Sequence, residues 1–549
     1  MSYYCVIRSL TGYNRSIAVL IDQGFRPYLL SLDKADQSRI LYSGKAPVAL
    51  KGYSYAVVDT DTGSIIEREP FTRNPINMDT LNEFYSRTWN TFSISRLPSL
   101  FSKLQSINQI DSDLHQYDQI PTLHLFGEET DVNKMHNNIS SDIEISLGLT
   151  YIGVKDVKNF GHVKVKISGR GTRYSTTKPS YKIKLAKTDN LYGNRAIKLR
   201  SLQTDPSFVR EKLYYDLLES VGLASIQSSY ARVFINNKSY GLFGLQDIPN
   251  ETWIDNKFHH GSHQNNIVFY GGTCNATLDY LGENESAYQE IKCKPFYDPV
   301  YKIKSKGSRS FVKLIDFTRF IDQMSANSTA ASWNKYIDIE SFIRSVSLEV
   351  VLGNADGYLL SAHNFLLYSN PKQHGQFIFI PQDADMSLGR TFTISAVDLL
   401  KWFDLKYLIE RISFPLFRKI MVVSELRELF LQTTIKIARA VSSASFMNYV
   451  DSIAEMISQD VNWDLTIPRN YTGGYPTDIR HMNDAGLFQE SLKVALPLDL
   501  IKDYYASIIH PVSFKTAIDE PIYNHLTLIG VKQWIKESSN SIMSFSKTL

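Results

Sequence analysis

The chain has 549 residues, with a hydrophobic share of 43%, a charged share of 21% and a formal net charge of +3 at pH 7. That length suits two or more domains of ordinary globular composition, and the small charge, with no block of five like charges, argues against a nucleic-acid partner. No apolar run of about 18 residues occurs, so no membrane-spanning helix is expected.

The start, MSYYCVIRSLTGYNRS, lacks the apolar core of a signal peptide, and the end, NSIMSFSKTL, lacks the tail of a lipid-anchor signal. Taken alone, this predicts a cytoplasmic protein. Eight Asn-x-Ser/Thr acceptors, at Asn14, Asn138, Asn237, Asn250, Asn275, Asn284, Asn327 and Asn470, point the other way. Residues 1–72 read as short strands broken by turns: Ser16 to Ile21, Tyr28 to Leu32, Tyr53 to Val58 and Ser64 to Glu67. They predict a small β-sandwich. Residues 73–118 have little periodicity, as an extended linker would.

Further on, His162 to Ile167 and Tyr181 to Leu185 alternate apolar residues with lysines, giving two antiparallel strands joined by Ser168-Gly-Arg-Gly-Thr172. Asp205-Pro206 is placed to open a helix with Val209, Leu213 and Leu217 on one face and Gly222 as its stop. A hairpin follows, Tyr230 to Ile235 and Tyr240 to Leu245. After an insertion at about 255–300 the chain turns mostly helical. Asp338 caps a helix with Phe342, Val346 and Val350 on one face and Gly353 at its end, and residues 424–460 are amphipathic. Strands first and helices after predict an α+β body whose two lobes meet at a cleft. Three cysteines, Cys5, Cys274 and Cys293, are too few for a disulfide framework or zinc cluster. Cys274 and Cys293 read either as one bridge or, with Cys5, as packed thiols.

The residues that carry chemistry sit near element ends. Asp383-Ala-Asp385 leaves the apolar strand Phe377 to Ile380, unlike Asp59-Thr-Asp61 and Asp111-Ser-Asp113, which lie in turn-like sequence. A carboxylate at the end of a packed strand is held rigidly, as a metal ligand must be. Asp356 and Asn364 follow the Asp338-capped helix, although Asp356-Gly357 is also an ordinary turn dipeptide. Three carboxylates and a carboxamide are hard oxygen donors of the kind that hold Mg²⁺ against phosphate. Gly169 and Gly171 would let the backbone approach phosphates, Arg170 adds charge, Lys182 or Lys184 could pair with phosphates, and Glu211 could hold such a lysine. The GxGxxG, HRD and DFG signatures of ordinary protein kinases are missing.

In this order the chain resembles the CotH kinase family, whose members include a bacterial spore-coat protein and surface proteins of mucoralean fungi. The resembling segments are Arg170-Gly-Thr, Lys178-Pro-Ser-Tyr-Lys-Ile-Lys-Leu185, Lys198-Leu-Arg-Ser, Asp205-Pro-Ser-Phe-Val-Arg-Glu211, Tyr240-Gly-Leu-Phe-Gly-Leu-Gln-Asp247, Asn354-Ala-Asp-Gly-Tyr358 with His363-Asn364, and Ile380-Pro-Gln-Asp-Ala-Asp-Met-Ser-Leu-Gly389. They lie within roughly residues 120–500. Leu81-Asn-Glu-Phe-Tyr-Ser-Arg87 and Asn462-Trp-Asp464 resemble the fungal branch.

The resemblance implies an atypical, two-lobed protein-kinase-like fold over about 119–520, with a β-rich lobe to about 250, a helical lobe from about 300, and a helical tail at 521–549. It implies a secreted or surface enzyme using ATP and Mg²⁺, or Mn²⁺, to phosphorylate Ser/Thr hydroxyls of coat or surface proteins. Asp356 falls on the catalytic acid, Asn364 and Asp383 on metal ligands with Asp385 beside them, and Lys182 and Glu211 on the phosphate-pairing lysine and its helix partner. Asp247 falls near the nucleotide at the hinge, with Arg170 and Gly171 in the phosphate turn. Gln382 and Leu388 depart from the family's usual aromatic residues. Two other readings stand beside the kinase: an invasin-like pseudokinase binding a host or cell-wall partner, and a metal-dependent nucleotide-sugar transferase built on Asp383-Ala-Asp385.

Overall fold

The computed structural model describes residues 1–10, 14–139, 141–169, 173, 176–273, 275–293, 298–307, 309–469 and 497–548. Its first part is one seven-stranded sheet, in the order Ile65–Arg68, Tyr53–Asp59, Arg15–Ile21, Pro27–Leu32, Leu41–Ala46, Ser2–Ile7, Asn82–Phe84. Tyr53 and Tyr4 lie four strands apart, about 19 Å in a flat sheet, yet their ring centroids are 5.1 Å apart. The sheet therefore curls onto itself around Tyr4, Val6, Ile17, Val19, Tyr55 and Val57. Pro27–Leu32 makes the corner: its residues 27–30 pair with Arg15–Ile21, and Ser31 and Leu32 pair with Leu41–Ala46.

Segment 73–118, expected as a linker, helps to close this curl. Glu83 on the edge strand accepts hydrogen bonds from Tyr53 Oη at 3.0 Å and Tyr55 Oη at 2.7 Å and pairs with Arg73 at 3.3 Å. From Tyr85 to Pro121 the chain has neither helix nor strand. It is pinned by Arg87, whose Nε lies 2.8 Å from the buried carboxylate of Asp460, which also takes Arg232 at 2.8 Å. A buried carboxylate shared by two arginines is compensated charge, and the pair holds Asp460 below the usual carboxylate range despite its burial.

Next comes a closed barrel of seven strands: Val157–Ser168, Ser180–Lys184, Ala196–Arg200, Lys238–Asp247, Ser228–Ile235, Thr122–Phe126 and Glu144–Ile152. Period-two alternation anticipates its strands but cannot tell a barrel from an open sheet. The inward residues, among them Val165, Tyr181, Ile183, Leu199, Phe243 and Leu245, fill the interior. The helix expected from Asp205 begins later, at Arg210–Ser220. Asp205 instead makes a tight turn, accepting from Ser207 N at 2.9 Å and Arg210 N at 3.0 Å, and Phe208 takes φ +58°, which a helix cannot contain.

The helical part packs around a four-stranded sheet, in the order Tyr301–Ile303, Val268–Gly272, Phe365–Asn370, Gln376–Pro381. Helix Ile339–Leu352 starts where expected, with Asp338 accepting from Ser341 N, and ends on Gly353 at φ +60°. The amphipathic stretch at 424–460 is two helices, Ser424–Val441 and Ala444–Thr466. The long second helix bonds to the barrel: Lys178 Nζ, buried, lies 2.5 Å from Asp464 Oδ1. The C-terminal helix Val531–Phe545 is core rather than appendage, since Trp534 is fully buried and donates to the Val351 carbonyl at 3.1 Å. Among the described residues no helix is long and apolar enough to cross a membrane. Cys5 is a buried free thiol, pushed up to about 12 mainly by burial.

Candidate catalytic site

The site forms where the barrel meets the helical part. In Ala196–Arg200, Ile197 and Leu199 turn into the barrel, so Lys198 and Arg200 face outward. The Arg200 guanidinium lies 3.2 Å from Glu211 Oε2, 2.7 Å from Asp383 Oδ1 and 2.7 Å from Asp385 Oδ2. Glu211 comes from the first turn of helix Arg210–Ser220. The two aspartates follow strand Gln376–Pro381. Tyr215, on that helix, accepts a hydrogen bond from Asp383 N at 3.0 Å and donates to Glu211 at 3.3 Å.

Asp356 and Asn364 join from the other side. Asp356 Oδ1 lies 2.8 Å from His363 Nδ1, and its Oδ2 accepts from Asn364 Nδ2 at 2.7 Å. The loops carrying these residues are laced together: Gln382 N donates to the Asn364 carbonyl, Ala355 N to Met386 and Leu388 N to Leu352. Asn364 and Asp383 both take left-handed backbone, at φ +53° and +52°, a conformation that Asn and Asp tolerate best among residues with a side chain. Glu349 anchors the turn from below, accepting from Tyr358 N at 3.0 Å and Leu359 N at 2.9 Å.

Three carboxylates contact one guanidinium, and a fourth, Asp356, stands close enough to act on Asp385, so the group carries a formal charge of −3. Burial pushes Asp385 up to about 6; Arg200 opposes this, and Asp383, Glu211 and Asp356 add to it. Arg200 is held well above its usual value, the carboxylates outweighing its burial. Among the described residues no three His, Cys, Asp or Glu side chains already stand in metal-ligating geometry. The donor chemistry nevertheless fits a hard divalent cation: the donors are oxygens, Asp383 is 40% exposed, and the cluster carries uncompensated negative charge.

The structure thus brings Glu211, Asp356, Asn364, Asp383 and Asp385 to one place. It does not pair Glu211 with Lys182. Lys182 stands between Tyr181 and Ile183, which fill the barrel, and so projects from the outer wall, while the cation beside Glu211 is Arg200. Asp247 lies at the barrel end, 3.0 Å from His115 Nε2, and takes no bond from the Arg200 cluster. Burial raises the Asp247 carboxyl, but His115 outweighs it and leaves the group below its usual range. Arg170 and Gly171 lie outside the described residues.

The residues that pattern reading left without a role are Arg200, His363 and Tyr215. Arg200 had a visible signal: it is the outward cation at the end of an alternating strand, immediately before a turn.

Comparison with known proteins places the chain among its relatives. A family model described as "CotH kinase protein" matches residues 165–489. "Invasin CotH3" of Rhizopus delemar is 25% identical over 461 residues, covering 81% of this chain and 73% of the relative. "Spore coat protein homolog 1" of the same fungus is 24% identical over 458 residues, covering 81% and 71%. "Inner spore coat protein H" of Bacillus subtilis is 23% identical over 273 residues, covering 49% and 70%. The family match takes in more than half of the chain and every site residue from Lys182 to Asp385, and the protein belongs to the CotH kinase family.

Proposed function

We propose that the protein is an atypical kinase that transfers the ATP γ-phosphate to Ser/Thr hydroxyls of coat or surface proteins. The observation that carries this reading is the convergence of Glu211, Asp356, Asn364, Asp383 and Asp385 around Arg200. Arg200 and Glu211 come from the barrel side and the other four from the helical side, which supports a two-lobed, kinase-like cleft.

Asp383, Asp385 and Asn364 would hold Mg²⁺, which supplies charge neutralisation for phosphate oxygens. Asp356, fixed by His363 and Asn364, orients the acceptor hydroxyl and receives its proton. Arg200 spaces the two aspartates, and Tyr215 fixes the Asp383 backbone. Most of the rate enhancement then comes from positioning and electrostatics. The test is transfer of labelled phosphate from ATP to a Ser-rich protein. Equal transfer by wild type and Asp383→Ala excludes the assignment.

A second reading has its own support. A relative is named an invasin, which fits a surface or coat location and a host or cell-wall partner for this chain. Mg-ATP binding without transfer favours this pseudokinase. A nucleotide-sugar transferase is the weakest fit, because it leaves Asp356, His363 and Glu211 without a task.

A further inference from the structure

Six outward side chains cross the barrel wall in direct register: Glu144, Lys166, Lys182, Lys198, Gln246 and Ser228. Like charges opposite one another destabilise a sheet, and here three lysines stand abreast. Lys166 is neutralised by Asp142 at 2.9 Å. Lys182 and Lys198 make no ion pair among the described residues. Burial lowers the Lys182 ammonium pKa, and Lys166 and Lys184 lower it further.

Beside Lys198 in the row, Gln246 is 2% exposed and its Nε2 has no hydrogen-bond partner. A buried donor left without a partner keeps the full cost of its desolvation. Arg200 lies two residues along from Lys198 on the same face, about 7 Å away. From Lys182 to Gln246 is two strand spacings, about 10 Å, a span suited to a base at one end and phosphates at the other.

We propose that this row reads the nucleotide: Lys182 and Lys198 take phosphate oxygens beside the Arg200 cluster, and Gln246 Nε2–H donates to an acceptor atom of the base. The ligand's identity as a nucleotide rests on the phosphotransferase reading; Lys198 and Gln246 are added to it. An anion explains two half-buried lysines side by side, and a base acceptor satisfies the amide.

Calorimetry with Mg-ATP and with Mg-tripolyphosphate separates the two halves. Lys198→Gln weakens both ligands about tenfold or more, while Gln246→Leu weakens ATP about tenfold and leaves tripolyphosphate unchanged, with an unfolding temperature no lower than wild type. Wild-type affinity for ATP in Gln246→Leu, equal loss of both ligands in it, or wild-type affinity for tripolyphosphate in Lys198→Gln overturns the proposal. Failure of both ligands to bind wild type also overturns it. Wild type that binds in the expected pattern but transfers no phosphate sinks the transferase reading alone. Transfer by wild type with indifferent variants sinks this one alone.

Discussion

Arg200 Nη2 lies 2.7 Å from Asp385 Oδ2, with the two side chains only 8% and 12% exposed. The bond joins the last residue of a barrel strand to a loop of the helical part. The partners are far apart in sequence, and each is a buried charge that needs the other. Removing one partner of such a pair is costlier than the pair is worth, because the other charge stays buried.

Arg200→Met should therefore destabilise the fold by on the order of 2–4 kcal/mol, below the full cost of an orphaned buried charge because Asp383 still reaches solvent. Urea unfolding measures it. Arg200→Lys should recover only part of the loss, since an ammonium cannot span Glu211, Asp383 and Asp385 as the guanidinium fork does. Full recovery by lysine would show that charge alone matters.

Asp356→Asn should cut phosphate transfer by roughly a hundredfold or more while Mg-ATP still binds, because the carboxamide keeps shape but loses basicity. His363→Ala should fall in the same direction with a smaller loss, since it frees Asp356 to rotate. Transfer assays with parallel binding measurements check both. Unchanged transfer in Asp356→Asn would move the catalytic acid elsewhere.

Glu349 predicts a pH dependence. Burial pushes its carboxyl up to about 7, against the stabilising bonds from Leu359 N and Tyr358 N. The folded state therefore holds this proton more tightly than the unfolded chain, so stability falls as pH rises from about 4.5 to about 7, by roughly 3 kcal/mol. Glu349→Gln should flatten that slope. Thermal unfolding of both proteins between these pH values decides it, and an unchanged slope in the variant would assign the effect to another group.

Gly353→Ala should be severe. Its φ is +60°, and an added Cβ would come within 2.0 Å of the buried Trp534 ring. Strain and overpacking together cost on the order of 3 kcal/mol or more. A melting temperature within a degree or two of wild type would mean that the C-terminal helix yields more easily than its burial implies.

The sequence by itself determined the local elements and the chemical inventory. Alternation marked the strands around Lys164 and Lys182, Asp338 and Gly353 bounded a helix, and the order Glu211, Asp356, Asn364, Asp383, Asp385 carried the family resemblance. These are properties of neighbouring residues, which propensity, capping and periodicity encode directly. Tertiary structure alone decided that seven strands close into a barrel, that Pro27–Leu32 divides its pairing between two neighbouring strands, and that the helix expected at Asp205 waits until Arg210. It also decided that Arg200, and not Lys182, is the cation beside Glu211. Alternation says only that two outward cations on neighbouring strands share a face. Which of them meets a carboxylate depends on the register between strands and on the loop that the helical part brings against the wall.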